Sequence, residues 1–194
     1  SAYAVVNNIG QQSPDIALGV DNSLEGKAGT LAEEEAIGAG DQGMMFGYAC
    51  NETDKLVPKA MVILQELSRK YDDLRLMFPD DFYADGKAQI TGYYDDDFRL
   101  TKIKTFTISY QNSEKNREKT DEMIKGTALT ICDKYGVEVE EFLINPTGKF
   151  LIGGFDGDAG LTGRKIVVDS YQSFAPVGGG AFSGKDPSKV DRSA

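Results

Sequence analysis

Hydrophobic periodicity restricts the fold of this chain more than any other sequence feature. After Pro58, apolar residues recur at steps of three and four, which predicts a helix with one face packed on a sheet. Residues 87–94 and 102–111 instead alternate apolar with polar, which predicts two strands. The acidic run 95–97 between them suits a hairpin turn. The predicted helical face consists of Met61, Leu64, Leu67, Tyr71 and Leu74.

A second helical face follows the hairpin and ends at Gly136, a residue typical of helix C-termini. Its apolar positions are Ile124, Ala128, Ile131 and Tyr135. Residues 2–7 and 44–50 are rich in apolar residues and predict strands, the second of them buried. Residues 11–22 carry Ser-Pro-Asp and glycine signals, which predict a loop. The order of strands and helices therefore predicts an α+β domain, with helices on one face of a mixed sheet.

Charge and composition narrow the class of protein. The 194 residues have a net charge of −10 and a pI near 4.5, which argues against a nucleic-acid partner. The sequence contains no apolar run of membrane length and no signal-peptide pattern, so we expect a cytoplasmic protein without a membrane partner. Cys50 and Cys132 are isolated and are expected to be reduced. Because there is no histidine, imidazole bases and histidine metal sites are excluded.

Glycine recurs throughout residues 144–191, in the segments INPTGKF, IGGFDGDAGLTGRK and GGGAFSGKDPSKVD, and in GAGDQG at residues 38–43. From residue 143 onward the chain has six basic and five acidic residues, whereas the first 142 residues have 15 and 26. Glycine lets backbone amides approach a ligand, and the cations lie beside these glycines. The pattern predicts a phosphate-binding cradle. A glycine-rich surface loop with incidental lysines fits the composition equally well.

Two short motifs within these segments do not carry their usual functions. Residues 179–185 fit the spacing of a P-loop, but Asp186 replaces the Ser or Thr that would bind Mg²⁺, and Pro187 disfavours the helix that should follow. Asp156 and Asp158 begin like a calcium-binding loop. That loop lacks its closing glutamate because Val167 stands there. Neither a P-loop nor an EF-hand is expected.

Taken together, the segments resemble the S-adenosylmethionine synthetase (methionine adenosyltransferase) family. The resemblance rests on GAGDQG, NPTG-x-F, GDAGLTGRK and GGGAFSGKDPSKVDRSA, together with IGQQSPDI at residues 9–16 and DGK at residues 85–87. It covers nearly the whole chain in the family's order. Two features differ: the family's N-terminal His-Pro-Asp-Lys motif is absent, and Val177 stands where members usually have histidine. We therefore expect an internal fragment that also lacks the C-terminal part.

The resemblance implies a fold and a domain organisation. Members of the family have three similar α+β domains, with mixed sheets, about a pseudo-threefold axis. For this chain it implies the end of the N-terminal domain at residues 1–11 and an active-site lid and connector at 12–31. The central domain would span residues 32–150, and 151–194 would begin the C-terminal domain.

The resemblance also implies a reaction and partners. The sulfur of L-methionine attacks C5′ of ATP, and the triphosphate that leaves is cleaved to phosphate and pyrophosphate, with two Mg²⁺ ions and K⁺ bound. Active sites would lie between subunits of a homodimer or a dimer of dimers. The isolated 194-residue chain is expected to be inactive. The alternatives are a fragment that binds ATP or triphosphate without turnover and a fragment that only pairs with other subunits.

Site residues follow from the matched motifs. The predicted triphosphate-binding and catalytic cations are Lys87, Arg164, Lys165 and Lys185. Further ATP contacts are predicted for Asp85, Gly86, Lys149, Phe150, Asp158 and Ala181, with Phe150 stacked on adenine. The predicted methionine contacts are Gln12, Asp41, Asp158 and Lys189. Asp191 is the predicted Mg²⁺ ligand. The alternative for each charged residue is a surface ion pair, and for Phe150 it is ordinary core packing.

Overall fold

The computed structural model describes residues 4–21, 23–29, 43–180 and 189–193. The chain divides into two compact units, one formed by Ala49–Gly160 and the other by Ser1–Tyr48 together with Leu161–Ala194. In chain order the described elements are α1 (Pro14–Val20), α2 (Leu24–Lys27), α3 (Lys59–Met77), β1 (Phe82–Tyr94), β2 (Leu100–Asn112), α4 (Arg117–Lys134), β3 (Glu138–Ile144), α5 (Ile166–Asp169) and α6 (Val190–Ser193). Short 3-10 turns occupy Glu114–Asn116 and Gly154–Asp156.

The unit at residues 49–160 is built on a three-stranded sheet in the order β1-β2-β3. β1 and β2 form an antiparallel hairpin, and α4 connects β2 to β3, which pairs with it in parallel. The hairpin turn lies at residues 95–98, where the side chain of Asp95 accepts hydrogen bonds from the backbone amides of Asp97 and Arg99. The predicted mixed sheet and hairpin are therefore confirmed. Both strands of the hairpin are longer than the sequence predicts.

The core of this unit lies between the sheet and the two long helices. Along β2 the side chains of Phe106, Ile108 and Tyr110 are buried, while those of the intervening residues are only half-buried. α3 contacts β1, α4 contacts β3, and the two helices contact each other. Six residues of the two predicted helical faces are buried, namely Met61, Leu67, Leu74, Ile124, Ala128 and Ile131. The other three, Leu64, Tyr71 and Tyr135, are half-buried. Cys132, on α4, is also fully buried.

Side-chain bonds fix the ends of the helices. The Glu52 carboxylate accepts hydrogen bonds from the backbone amide of Lys59, at the start of α3 (2.8 Å), and from that of Leu100, at the start of β2 (2.6 Å). It therefore satisfies an amide that the first helical turn leaves without a partner. The C-terminus of α4 is followed by Gly136, which has a φ of +64°, the left-handed conformation that glycine adopts readily. The predicted stop at Gly136 is confirmed.

Three predictions of secondary structure are wrong. Residues 44–50 form no strand and are not buried, and residues 4–7, the described part of the predicted segment 2–7, are irregular. Apolar and β-branched composition does not make a strand unless a neighbouring strand supplies hydrogen-bond partners. The predicted loop at 11–22 contains α1, which begins at Pro14 and has Asp15 in its first turn. Proline at the first helical position favours a helix start, so the Ser-Pro-Asp signal marks a helix here rather than a turn.

Within residues 4–21, 23–29, 43–180 and 189–193, no helix is both long and apolar enough to cross a membrane.

Candidate functional site

The first part of the candidate site is the start of the β1–β2 hairpin. The pairing register shifts between Phe82 and Gly86, so residues 83–85 lie in an irregular part of the strand. Such bulges change the direction of side chains. The Tyr71 hydroxyl, from α3, supports this stretch by donating a hydrogen bond to the carbonyl of Tyr83 (2.8 Å), and burial raises the pKa of Tyr71 above its usual value. Asp85, the first residue of the predicted DGK motif, ends this stretch, and Gly86 and Lys87 follow in the regular pairing.

A residue within this motif contacts the glycine-rich segment directly. The Oδ2 atom of Asp85 accepts a hydrogen bond of 2.7 Å from the backbone amide of Gly154, a residue 69 positions away in the sequence. Beside it, the side chain of Gln111 on β2 donates to the carbonyl of Leu151 (3.0 Å), and the amide of Asn112 donates to the carbonyl of Phe150 (3.0 Å). The DGK motif and the start of the glycine-rich segment therefore lie side by side.

The NPTG turn is held against the end of the sheet by a buried asparagine. Asn145 is 2% exposed and has a φ of 44°, a conformation that asparagine tolerates better than most residues. Its backbone amide donates to the carbonyl of Ile108 (2.9 Å), and its side-chain oxygen accepts from the amide of Tyr110 (2.9 Å). A side-chain nitrogen of Arg117 donates to the carbonyl of Gly148. The backbone immediately before Phe150 is thus fixed from two sides.

Arg117 belongs to a small network at the start of α4. The Tyr110 hydroxyl lies 2.6 Å from Asp121 and 2.8 Å from the hydroxyl of Thr120, and Arg117 pairs with Asp121 at 3.4 Å. Burial, together with the hydrogen bond to Asp121, raises the pKa of Tyr110 well above its usual range. The tyrosine therefore stays protonated and links the sheet to the helix that holds the turn.

The cations predicted to bind triphosphate differ in their surroundings. Lys87 and Arg164 are exposed, and their side chains make no ion pair or hydrogen bond with any other residue that the structure describes. Lys165 is exposed, and its ammonium lies 3.4 Å from the carbonyl of Arg164. Lys149 instead pairs with Glu114 at 2.5 Å. Lys87 and Arg164 thus present charges that no described carboxylate neutralises.

The remaining predicted residues lie in several parts of the chain. Gln12 is exposed, just before α1, and Lys189 is half-buried at the start of α6. Phe150 is half-buried. Asp158 is exposed, and its Oδ1 atom accepts from the amide of Gly160 (2.9 Å). Three predicted residues and one side chain lie outside the described part of the chain: Asp41, Ala181, Lys185 and the side chain of Asp191.

Two aspects of the predicted site are left open by these positions. Lys87 belongs to one compact unit, whereas Arg164 and Lys165 belong to the other, so the convergence of the cations stays a prediction. Among the described residues, no group of three or more Asp, Glu or Cys side chains is placed to hold a metal ion. Mg²⁺ usually takes only one or two protein carboxylates together with phosphate oxygens, so Asp191 stays a predicted ligand.

The second unit has a cavity of its own. It has a volume of about 400 Å³ and is lined by Met45 and Phe46 together with residues of 166–179. Val177, which stands where the family usually has histidine, forms part of this lining. The backbone of Gly178 approaches closely, since an added Cβ would lie 2.9 Å from the carbonyl oxygen of Met44. The first glycine of the GGG run therefore allows two backbone segments to come together.

Sequence reasoning missed the residues that shape the site without belonging to a recognised motif. Gln111 is the last residue of the predicted strand 102–111 and lies on β2. Asn145 and Gly153 lie inside matched motifs, but Asn145 contacts Tyr110, and Gly153 leaves space for the side chains of Gln111 and Asp85, all distant in sequence. No local signal identifies Asn145, because the residue before a proline normally adopts an extended conformation rather than the positive φ found here.

The chain is similar to a known family over most of its length. The family model for the S-adenosylmethionine synthetase central domain matches residues 36–150, and that for the C-terminal domain matches residues 152–194. The S-adenosylmethionine synthase of Clostridium tetani (strain Massachusetts / E88) is 48% identical over 195 residues, which cover 98% of this chain and 50% of that protein. The enzyme of the same name from Petrotoga mobilis (strain DSM 10674 / SJ95) is 48% identical over 196 residues, which cover 98% of this chain and 49% of that protein.

The chain thus spans about half the length of the curated relatives it matches. The two family models follow each other without overlap and together match most of the chain. On these matches, the chain belongs to the S-adenosylmethionine synthetase family.

Proposed function

We propose that this chain is part of a methionine adenosyltransferase, which forms S-adenosylmethionine from ATP and L-methionine and releases phosphate and pyrophosphate. The names of the two relatives support this reaction. The structural observation that carries the proposal is the hydrogen bond between Asp85 and Gly154, because it brings the DGK motif and the glycine-rich segment together across 69 residues. Two motifs with separate predicted contacts to one nucleotide have to be neighbours.

The reaction places few demands on acid–base chemistry. A thioether is already a good nucleophile, so the displacement at C5′ requires alignment of sulfur and carbon and stabilisation of the charge on the departing triphosphate. Neither demand requires a histidine from this chain, which has none. Lys87 and Arg164 fit the second, because each presents an exposed cation that no described carboxylate neutralises. Arg164 also suits bidentate contact with phosphate oxygens.

The other proposed contacts surround the nucleotide and the amino acid. Lys165 and Lys185 add charge along the triphosphate, Phe150 stacks on adenine, and Asp158 binds the methionine ammonium or the ribose. Gln12, Asp41 and Lys189 lie toward methionine. Mg²⁺ and K⁺, when bound, would offset triphosphate charge, with Asp191 as one ligand of Mg²⁺. The site would be completed by a second subunit of a homo-oligomer in the cytoplasm.

A chimera tests this function. Residues 1–194 would replace the matching half of the Clostridium tetani relative, and the formation of S-adenosylmethionine from ATP and methionine would be measured by mass spectrometry. We expect turnover in the chimera and a loss of about 100-fold on Lys87→Ala, the usual effect of removing one group that stabilises transition-state charge. The matched control is Lys104→Ala on β2, also an exposed lysine. An inactive but folded chimera, or equal effects of both substitutions, would contradict the proposal.

The 194-residue chain alone is proposed to be inactive. It spans about half of its relatives, which favours binding of ATP or triphosphate without turnover as the second candidate function. Calorimetry with ATP and tripolyphosphate, followed by the product assay, separates the outcomes. Binding without product supports the second candidate, whereas robust product formation by the chain overturns the proposed inactivity. A dimer that binds neither compound would instead indicate a subunit-pairing role.

A further inference from the structure

Gly153, at the start of the glycine-rich segment, is a glycine for reasons of space. Its φ of −144° and ψ of −170° are extended values that any residue adopts. A Cβ at this position, however, would lie 2.5 Å from Oε1 of Gln111 and 2.7 Å from Oδ2 of Asp85, closer than real Cβ contacts. The missing side chain therefore leaves room for two polar side chains that reach the segment from β1 and β2.

These two side chains attach the segment to the hairpin. Asp85 accepts from the amide of Gly154 at 2.7 Å, and Gln111 donates to the carbonyl of Leu151 at 3.0 Å, so the bonds flank Gly153 on both sides. The backbone amide of Asp85 also donates to Oε1 of Gln111 (3.4 Å), so the Gln111 side chain contacts both the segment and the strand residue that carries the Asp85 carboxylate. Gly154 itself has a φ of +60°, a conformation that glycine adopts at little cost.

Further hydrogen bonds carry the attachment to Asp158. The carbonyl of Gly154 accepts from the amides of Gly157 (3.0 Å) and Asp158 (2.9 Å), and the Asp158 carboxylate accepts from the amide of Gly160 (2.9 Å). Gly154 therefore links the two aspartates, because its amide donates to Asp85 and its carbonyl accepts from the amide of Asp158. A continuous series of hydrogen bonds runs from strand β1 to a proposed substrate-binding carboxylate.

We propose that Asp85 and Gln111 are positioning residues that set the location of the glycine-rich segment 152–160, and hence of Asp158. The inference rests on the proposed function, since the position of Asp158 affects the reaction only if this segment contacts substrate. It gives the Asp85 carboxylate a role other than the ATP contact that the family resemblance implies, because its Oδ2 atom binds the protein backbone. Lys87, two residues further along β1, keeps the phosphate-binding role.

Hydrogen exchange of the 194-residue chain, followed by mass spectrometry, tests the attachment without using activity. Asp85→Ala should accelerate amide exchange in residues 152–160 by about tenfold, since a charge-assisted hydrogen bond is lost. Exchange in α3 and α4 should stay the same. Asp85→Asn should stay within about threefold of the parent, because the amide oxygen still accepts a bond. Asp96→Ala, at the exposed hairpin turn, is the matched control and should change nothing.

The space around Gly153 provides an independent test. Gly153→Ala should accelerate exchange in residues 152–160 about as much as Asp85→Ala does, because the methyl group displaces both side chains. In a chain that already carries Asp85→Ala and Gln111→Ala, the same substitution should add less than twofold, because the clash is gone. Gly126→Ala on α4 is the control, since nothing lies within 4 Å of a Cβ there.

Kinetics of the chimera then separate positioning from direct contact. Positioning predicts that kcat/KM for ATP falls strongly in Asp85→Ala and recovers most of its value in Asp85→Asn, in parallel with exchange. Normal exchange in Asp85→Asn with lost activity would show direct substrate contact and overturn the inference, as would unchanged exchange in Asp85→Ala. If the chimera shows no turnover while exchange responds as expected, the attachment stands and the proposed function fails.

Discussion

The hairpin with its two helices and the glycine-rich segment that follows are ordered by different kinds of contact. The first buries a continuous set of apolar side chains from α3, β2 and α4. In residues 151–168, Ile152, Phe155, Leu161 and Val168 are all more than half exposed. This second region is held at its start by a few hydrogen bonds to Asp85, Gln111 and Asn112. Burial stabilises the scaffold, while specific polar contacts place the start of the segment, residues 151–154.

Matched leucine substitutions should show the largest difference between the two regions. Leu67 on α3 is 3% exposed, and Leu161 is 73% exposed. We expect Leu67→Ala to lower the free energy of unfolding by about 2–4 kcal/mol, through lost burial and the cavity left behind. Leu161→Ala should change it by less than about 0.5 kcal/mol. Urea denaturation of both variants measures the difference, and similar losses would remove the distinction drawn here.

Asn145, in the turn that precedes the glycine-rich segment, should show an intermediate effect. Asn145→Ala loses the acceptor for the amide of Tyr110 and keeps an unfavourable φ, so we expect a loss of about 2–3 kcal/mol. Asn145→Gly relieves the backbone and should lose about 1–2 kcal/mol. Thermal or urea unfolding of the pair separates the two contributions. If the alanine variant were no less stable than the glycine variant, backbone conformation would not contribute.

A comparison of Lys87 with Lys149 tests whether an unpaired lysine and a lysine in an ion pair contribute differently to tripolyphosphate binding. Its exposed ammonium has no partner among the described residues, whereas Lys149 pairs with Glu114. Lys87→Ala should weaken the affinity of the chain for tripolyphosphate about tenfold, and Lys149→Ala should weaken it less, because its charge is already offset. Calorimetry at low ionic strength measures both, because salt screens exposed charges. A larger effect at Lys149 would reverse this order.

The ion pair between α3 and α4 gives the smallest expected effect. The hydrogen bonds from Lys134 and Tyr135 lower the pKa of Glu66 below its usual value. Ionised Glu66 therefore stabilises the folded chain above the unfolded pKa of about 4.3, and this contribution is lost as pH falls through the folded pKa. Glu66→Gln should cost about 0.5–1 kcal/mol at pH 7 and progressively less in acid.

The control for this pair is Glu122→Gln, an exposed position on α4. It should show no comparable change with pH. A constant difference between Glu66→Gln and the parent chain from pH 7 to pH 3 would show that charge is not involved.

The sequence predicts the elements that depend on contacts between residues close together in the chain, and it does not predict contacts between residues far apart in the chain. α3, α4 and the hairpin were predicted because their periodicity is local and their partners lie within one stretch of chain. The strand at 44–50 was wrong, because composition does not show whether a partner strand is present. Family motifs predicted Lys87 and Asp158 as site residues, but they could not indicate that Asp85 binds Gly154, since that contact joins positions 69 residues apart. Gln111 has no local pattern that distinguishes it from any other strand end.

The buried thiol of Cys132 provides a chemical reporter of the scaffold. It is fully buried on α4, and burial raises its pKa to about 11, so thiolate is scarce at neutral pH and reagents cannot reach the sulfur in the closed structure. Alkylation at this position therefore requires α4 to separate from its neighbours. Its rate under native conditions would report how often the helix opens, without any added label.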